Sequence, residues 1–283
     1  MAFVAVFIIL GIIVFVSVTV ILTGTITLVS AKPGQKEQQI PFNAQQEVVK
    51  QFRWVFPIQL QPEQRFAPTR YSLKLSISQK RYDQCRRQMA RNLSPYHFDS
   101  YVMPSTPEIQ NLAQKLMRLS QPQNFMAYEL LCFTLAFVQQ GINYAHDVSP
   151  QTGEIVEYPK YPIETLTEQT GDCEDQAILM ASLLKNMGFD VALLILPTHV
   201  ALGVSGFTGL KGVTLVDPTS GKQYYYTETT VHGWLPGQIP QEFMEDIKEG
   251  SFDILPILDG AGRQPELPPQ LDDNNANSGQ HHS

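Results

Sequence analysis

Gly171-Asp172-Cys173-Glu174-Asp175 runs directly into Gln176-Ala-Ile-Leu-Met-Ala-Ser-Leu-Leu-Lys185, and this junction constrains the chain more than any other stretch. Asp172 has the chemistry of an N-cap, and Asp175 stands three residues on, where a capping box wants its acceptor. Ile178, Ala181, Leu184 and Met187 recur at helical spacing, and Gly188 supplies a C-terminal stop. Cys173 therefore opens the first turn of a helix. Unpaired N–H groups and the positive dipole end favour a thiolate there. A thiolate so placed is a nucleophile in need of a base.

A base follows 26 residues later, at His199. Val191-Ala-Leu-Leu-Ile-Leu196 reads as a buried strand, Pro197-Thr198 breaks it, and His199-Val-Ala-Leu-Gly-Val204 begins another. That is enough chain for a helix, a strand and a turn, so packing the strand pair on the helix brings imidazole toward thiol. Two acids compete to orient the ring. Asp217 lies in Val213-Thr-Leu-Val-Asp-Pro-Thr-Ser-Gly221, which is also good turn chemistry, and Glu228 ends Lys222-Gln-Tyr-Tyr-Tyr-Thr-Glu228. Asp217 falls opposite His199 if 213–217 pair with the His strand. Glu228 falls there if 222–228 pair with it and 213–217 lie outside.

Phe137-Val-Gln-Gln-Gly-Ile-Asn-Tyr144, Asp147, Tyr158, Tyr161-Pro-Ile-Glu-Thr-Leu166, the Cys173 motif and His199-Val-Ala-Leu-Gly-Val204 form an ordered set. Together they resemble the transglutaminase-like (papain-like) superfamily. The closing Tyr224-Tyr-Tyr-Thr-Glu-Thr-Thr230 and Gly233-Trp-Leu-Pro-Gly237 resemble its membrane-anchored prokaryotic branch. The resemblance spans roughly residues 70–245 and implies a Cys-His-acid triad of Cys173, His199 and an acid. Better-studied members take that acid from an Asp-Pro-Thr context, as at Asp217. The branch this chain resembles most takes it from Glu-Thr-Thr, as at Glu228. The fold implied is α+β, a papain-like core in which a Cys-bearing helix packs on an antiparallel sheet carrying the His and the acid. The activity implied is a cysteine peptidase or amidase acting on a peptide or protein substrate through an acyl-enzyme. Acyl transfer to an amine and a non-catalytic peptide-binding module are the alternatives. Tyr144 and Tyr161 precede the nucleophile and are candidates to line the cleft.

Ala2 to Val29 contains no charged residue, and Phe3 to Leu22 alone is long enough, at ~1.5 Å per residue, to span a hydrocarbon core of ~30 Å as a helix. With no basic n-region, residues 2–29 read as an uncleaved transmembrane anchor that makes the chain a single-pass membrane protein. Lys32 and Lys36 put the following domain in the cytoplasm by the positive-inside rule, whereas the resemblance implies a domain outside. Residues 31–68, Gln- and Pro-rich, read as a stalk, with Val55 to Leu60 able to dock on the body. Residues 69–257 read as the transglutaminase-like domain. Residues 258–283 read as a polar, disordered tail.

Residues 1–100 carry twelve Lys and Arg against five Asp and Glu, and residues 101–283 carry eight against 22. The basic share, from Arg65 and Arg70 to Arg91, suits either anionic lipid or water. The acidic catalytic half argues against nucleic acid. Three cysteines are too few for a disulfide framework, although Cys85 and Cys132 can form one bond in an oxidising compartment. Neither zinc-ligand spacing nor a phosphate-binding Gly loop is present, so no metal or cofactor is implied.

Overall fold

The computed structural model describes residues 4–9, 12–17, 29–30, 46–57, 67–88, 91–149 and 151–258. The chain divides into two compact units, Met1–Ala44 and Gln45–Ser283.

In the first unit β1 (Val4–Ile9) pairs antiparallel with β2 (Ile12–Ser17), and β2 with β3 (Val29–Ser30). The described part of the apolar segment is thus a hairpin rather than the helix expected over 2–29. Valine and isoleucine dominate both strands, and their branched Cβ atoms are more easily accommodated on a pleated surface than in a helix. No helix among the described residues is long and apolar enough to cross a membrane.

The second unit begins inside the expected stalk. β4 (Glu47–Phe56) pairs along its whole length with β5 (Thr69–Ser78). Every second residue of each strand faces inward, so Phe52, Trp54 and Phe56 join Leu73, Leu75 and Ile77 in the main core. The Gln-rich flanks hid this alternation. Ser78 then caps α1 (Gln79–Arg86) by accepting from the Arg81 N–H at 3.3 Å. Pro107 opens α2 (Pro107–Ser120), which buries the stripe Ile109, Leu112, Ala113 and Leu116. α3 (Ala127–Gly141) is buried on nearly all sides from Leu131 to Gln139, as its strongly apolar sequence requires.

A parallel bridge between β6 (Asn143–Tyr144) and β7 (Thr170–Gly171) brackets α4 (Pro162–Glu168) and delivers the chain to α5 (Cys173–Asn186). α5 ends at Gly188, whose φ of +88° lets Phe189 N–H reach the Leu184 carbonyl at 2.9 Å. The sheet follows: β8 (Asp190–Leu196), β9 (His199–Ser205), β10 (Thr214–Val216) and β11 (Gln223–Thr227), then α6 (Met244–Glu249) and β12 (Asp253–Pro256). Its order is β10-β11-β9-β8-β12, antiparallel throughout. Val191, Leu193, Ile195, Val200 and Leu202 pack with the α5 side of the core. Leu194, Leu196, Ala201, Leu215 and Tyr226 form a second, smaller core on the opposite face, covered by residues from the 239–254 segment. The architecture is the expected α+β, a Cys-bearing helix on an antiparallel sheet.

Cys85 and Cys132 are free rather than bonded to each other. Burial, the largest cause in each case, pushes both thiols up to about 12, which leaves them inert near neutral pH. Of the basic residues, Arg81 pairs with Glu108 at 2.9 Å and the buried Arg91 with Glu164 at 2.9 Å, so these two serve the body. Arg65 and residues 259–283 of the expected tail lie outside the described residues.

Candidate active site

β11 pairs directly with β9, and β10 is the outer strand. Thr227 lies opposite Leu202, so Glu228, one residue on, arrives beside the start of the His strand. His199 Nε2 lies 3.0 Å from Glu228 Oε2. A carboxylate only accepts, so Nε2 carries the hydrogen and Nδ1 is left as the basic nitrogen. The same oxygen accepts from the Tyr226 hydroxyl at 2.9 Å, and Oε1 accepts from the Thr230 N–H at 3.0 Å and its hydroxyl at 2.7 Å. The fully buried Glu228 is thus completely satisfied. Burial acts to raise its carboxyl, but the bonds and charge of His199 and the two bonds from Thr230 outweigh it and hold it at about 2. Glu228 is therefore ionised throughout the neutral range.

Gln139 of α3 holds the backbone of this corner. Its amide donates to the carbonyls of Glu228 (2.9 Å) and Trp234 (3.0 Å) and accepts from the Gly233 N–H at 3.1 Å. The motif residues Gly233 and Trp234 therefore act through the backbone turn they make.

Asp217 is elsewhere. It accepts from the Thr219 N–H at 3.0 Å and from the Ser220 hydroxyl, closing the turn that leads into β11. The Ser220 and Thr219 bonds hold its carboxyl low, as an Asx turn does. It is a turn residue, not a partner of His199.

Cys173 opens α5 as expected, but its surroundings differ from those of a bare helix N-terminus. Asp172 occupies the N-cap without a side-chain cap bond, and Asp175 forms no capping box: its Oδ1 accepts from the Lys160 N–H at 2.7 Å. Gly171 permits this packing, since a Cβ there would lie 2.6 Å from the Asp175 Cβ. The Cys173 thiol donates to Glu174 Oε2 at 3.3 Å, so its hydrogen points at that carboxylate rather than at the imidazole. Burial, then the negative charge of Glu174, raise the thiol above its ordinary value, opposed by a bond from the Val200 N–H. That last bond sets the sulfur against the residue next to His199. The helix dipole alone does not make a thiolate here, because burial outweighs it, with Glu174 acting in the same direction. A thiolate at this position needs a positive partner.

Asp172, Glu174 and Asp175 are buried with ligand oxygens within 4.8 Å of one another, the group among the described residues able to hold a metal ion. No donor reaches Asp172 Oδ1 or Glu174 Oε1 among the described residues. Burial, then Asp172, raise Glu174 to about 9, and burial raises Asp175 despite Lys160 Nζ at 3.2 Å. The sequence showed Asp172 and Asp175 only as caps and gave Glu174 no role, because their spacing matches no zinc motif.

A cleft of about 600 Å³ opens on His199 and Glu228, with Tyr144, Thr198, Phe243 and Asp246 in its wall. Tyr144 is half exposed there, anchored by the pairing of its backbone with Gly171. Burial, then the charges of Cys173 and Asp172, push its hydroxyl up to about 12, so it stays a donor. Tyr161 is buried against Tyr101, with ring centroids 4.8 Å apart, and packs rather than lines the cleft.

The chain is similar to solved structures of Legionella pneumophila LapG. One is 18% identical over 52% of this chain and 79% of that one, with a TM-score of 0.29. An EGTA-treated form is 17% identical over 52% and 77%, also at 0.29. A calcium-bound form is 14% identical over 50% and 81%, at 0.24. No family model matches the chain, and no curated protein does.

Proposed function

We propose that this protein is a cysteine peptidase or amidase in which Cys173 attacks an amide carbonyl, His199 carries the proton and Glu228 orients the imidazole. The observation that carries the reading is the buried His199–Glu228 bond at the head of a cleft, with the sulfur of helix-opening Cys173 bonded by the backbone of Val200, the residue after His199. His199 Nδ1 takes the thiol proton, and the resulting imidazolium next to ionised Glu228 supplies the positive partner that the sulfur otherwise lacks. The imidazolium then protonates the leaving amine, and water activated by the same nitrogen resolves the thioester. The Cys173 N–H, which has no intrahelical acceptor at the first position of α5, is a donor for the developing oxyanion. Replacement of water by an amine would give acyl transfer from the same intermediate, and the geometry favours neither outcome.

The buried carboxylates of Asp172, Glu174 and Asp175 fit a hard divalent cation of the calcium type: all ligand atoms are oxygens, and Asp172 Oδ1 and Glu174 Oε1 accept from no donor among the described residues. Such a cation would set a positive charge beside the thiol that burial and Glu174 now hold in its protonated form. Membrane attachment through residues 2–29 is proposed on composition alone, from a stretch without charge.

Alkylation tests the site. Iodoacetamide should label Cys173 in preference to Cys85 and Cys132, and His199→Ala should slow that labelling at least tenfold. Calcium should accelerate it over EGTA in the wild type, and Glu174→Gln should shrink the difference. Labelling of Cys173 at the same rate with and without His199 would remove the nucleophile–base pair and with it the enzyme reading.

A further inference from the structure

One hydrogen bond does not fix a ring. The Nε2–Glu228 bond sets the direction of one N–H vector, but the imidazole can still rock about that axis and change where Nδ1 points. Removing that freedom takes a second constraint, normal to the ring plane. The structure contains one. The Phe243 ring lies flat on His199, centroids 4.5 Å apart and planes only 12° from parallel. That is stacking geometry rather than a glancing edge contact.

Phe243 is not there by chance of a loose loop. It ends a 3-10 turn, Gln241–Phe243, closed by its own N–H on the Pro240 carbonyl at 3.1 Å and continued by α6. The segment is docked on the sheet by the second core, where Phe243 and Ile247 pack with Leu194, Leu196, Leu215 and Tyr226. Tyr226 is also the residue that donates to Glu228 Oε2. One small apolar core therefore holds both constraints on the imidazole, the edge through Tyr226 and Glu228 and the plane through Phe243.

We infer that Phe243 is a positioning residue for the proposed reaction, holding the His199 ring in the plane that presents Nδ1 to Cys173 and keeping water from one face of the His199–Glu228 bond. The inference rests on the catalytic reading above. A misplacement of about 1 Å at a reacting group costs roughly 100-fold in rate, so loss of the stack should be felt at the sulfur without any change in its own contacts.

The test uses the full chain with ¹⁵N-labelled histidine and three variants: Phe243→Leu, Phe243→Met and Phe243→Tyr. Solvent exchange of the His199 Nε2 proton and alkylation of Cys173 by iodoacetamide are measured on each, with thermal melts alongside. Phe243→Leu, or Phe243→Met if the leucine variant does not fold, should exchange that proton at least tenfold faster and alkylate at least tenfold more slowly. Phe243→Tyr should restore both, because it restores the flat ring. Wild-type exchange and alkylation in a folded leucine or methionine variant would overturn the proposal, as would a tyrosine variant that rescues the melt but neither rate. If His199→Ala leaves wild-type alkylation unchanged, the catalytic reading falls, and the exchange comparison still decides whether Phe243 shields the bond.

Discussion

Glu228 carries four hydrogen bonds on two oxygens, and that saturation makes its effects measurable apart from those of Asp217. Glu228→Gln keeps the shape but offers a donor where His199 and Tyr226 both need an acceptor. It should lower kcat on any substrate found for the wild type by about 10²–10⁴-fold, through the wrong tautomer and an uncompensated imidazolium. Asp217→Asn keeps the Asx turn and should leave kcat within about twofold. The depressed carboxyl also links to stability. Its folded value of about 2 lies below the ordinary 4.5, so the contribution is fully present above pH 4.5 and disappears as pH falls from 4.5 to about 2. Integrated over that window it is on the order of 3 kcal/mol. Acid melts between pH 5 and 2 should therefore be flatter for Glu228→Gln than for the wild type, and parallel curves would refute the linkage.

Among the elements, the strand that carries the base and the helix that carries the nucleophile were legible in the sequence, because each is a short apolar run with a clear start. α5 and β9 begin where Cys173 and His199 said they would. The choice between Asp217 and Glu228 was not legible, since it depends on whether β10 or β11 lies next to β9, and hydrophobic alternation does not encode strand order. Nor was the fate of Asp172 and Asp175. Both look like caps, but Lys160, 15 residues away from Asp175, draws that carboxylate out of the helix end. Phe243 stands in Glu242-Phe-Met-Glu-Asp246, which has no pattern to mark it. α3 gives an element-scale prediction through Gln139, whose amide ties together Glu228, Gly233 and Trp234. Gln139→Leu leaves the buried Glu228 carbonyl without its partner, at about 1–3 kcal/mol before relaxation, and removes the partners of the half-buried Gly233 N–H and Trp234 carbonyl. It should lower the melting temperature clearly and displace Glu228.

At the scale of the whole molecule, the boundary of the folded body is the point on which composition and structure part. Composition places the body from residue 69, after a Gln- and Pro-rich stalk. The structure starts it at β4, whose Phe52, Trp54 and Phe56 pack into the main core. Trp54 and Phe56 each meet Phe133 of α3, at ring centroids 5.4 Å apart, and Phe52 meets Phe137 at 5.3 Å. β4 is therefore a wall of the helix that positions Gln139, and through it Glu228. Two truncations separate the alternatives. A chain beginning at residue 46 keeps β4 and should fold with the cooperative melt of the full body. A chain beginning at residue 69 loses three buried aromatics, each worth about 3–5 kcal/mol as an alanine substitution, against a total stability of about 5–15 kcal/mol for a typical domain. It should be unfolded or molten, with α3 exposed and Cys132 open to thiol reagents. If the shorter chain folds and alkylates at Cys173 like the longer one, β4 is an accessory, and the residue 69 boundary read from composition is the right one.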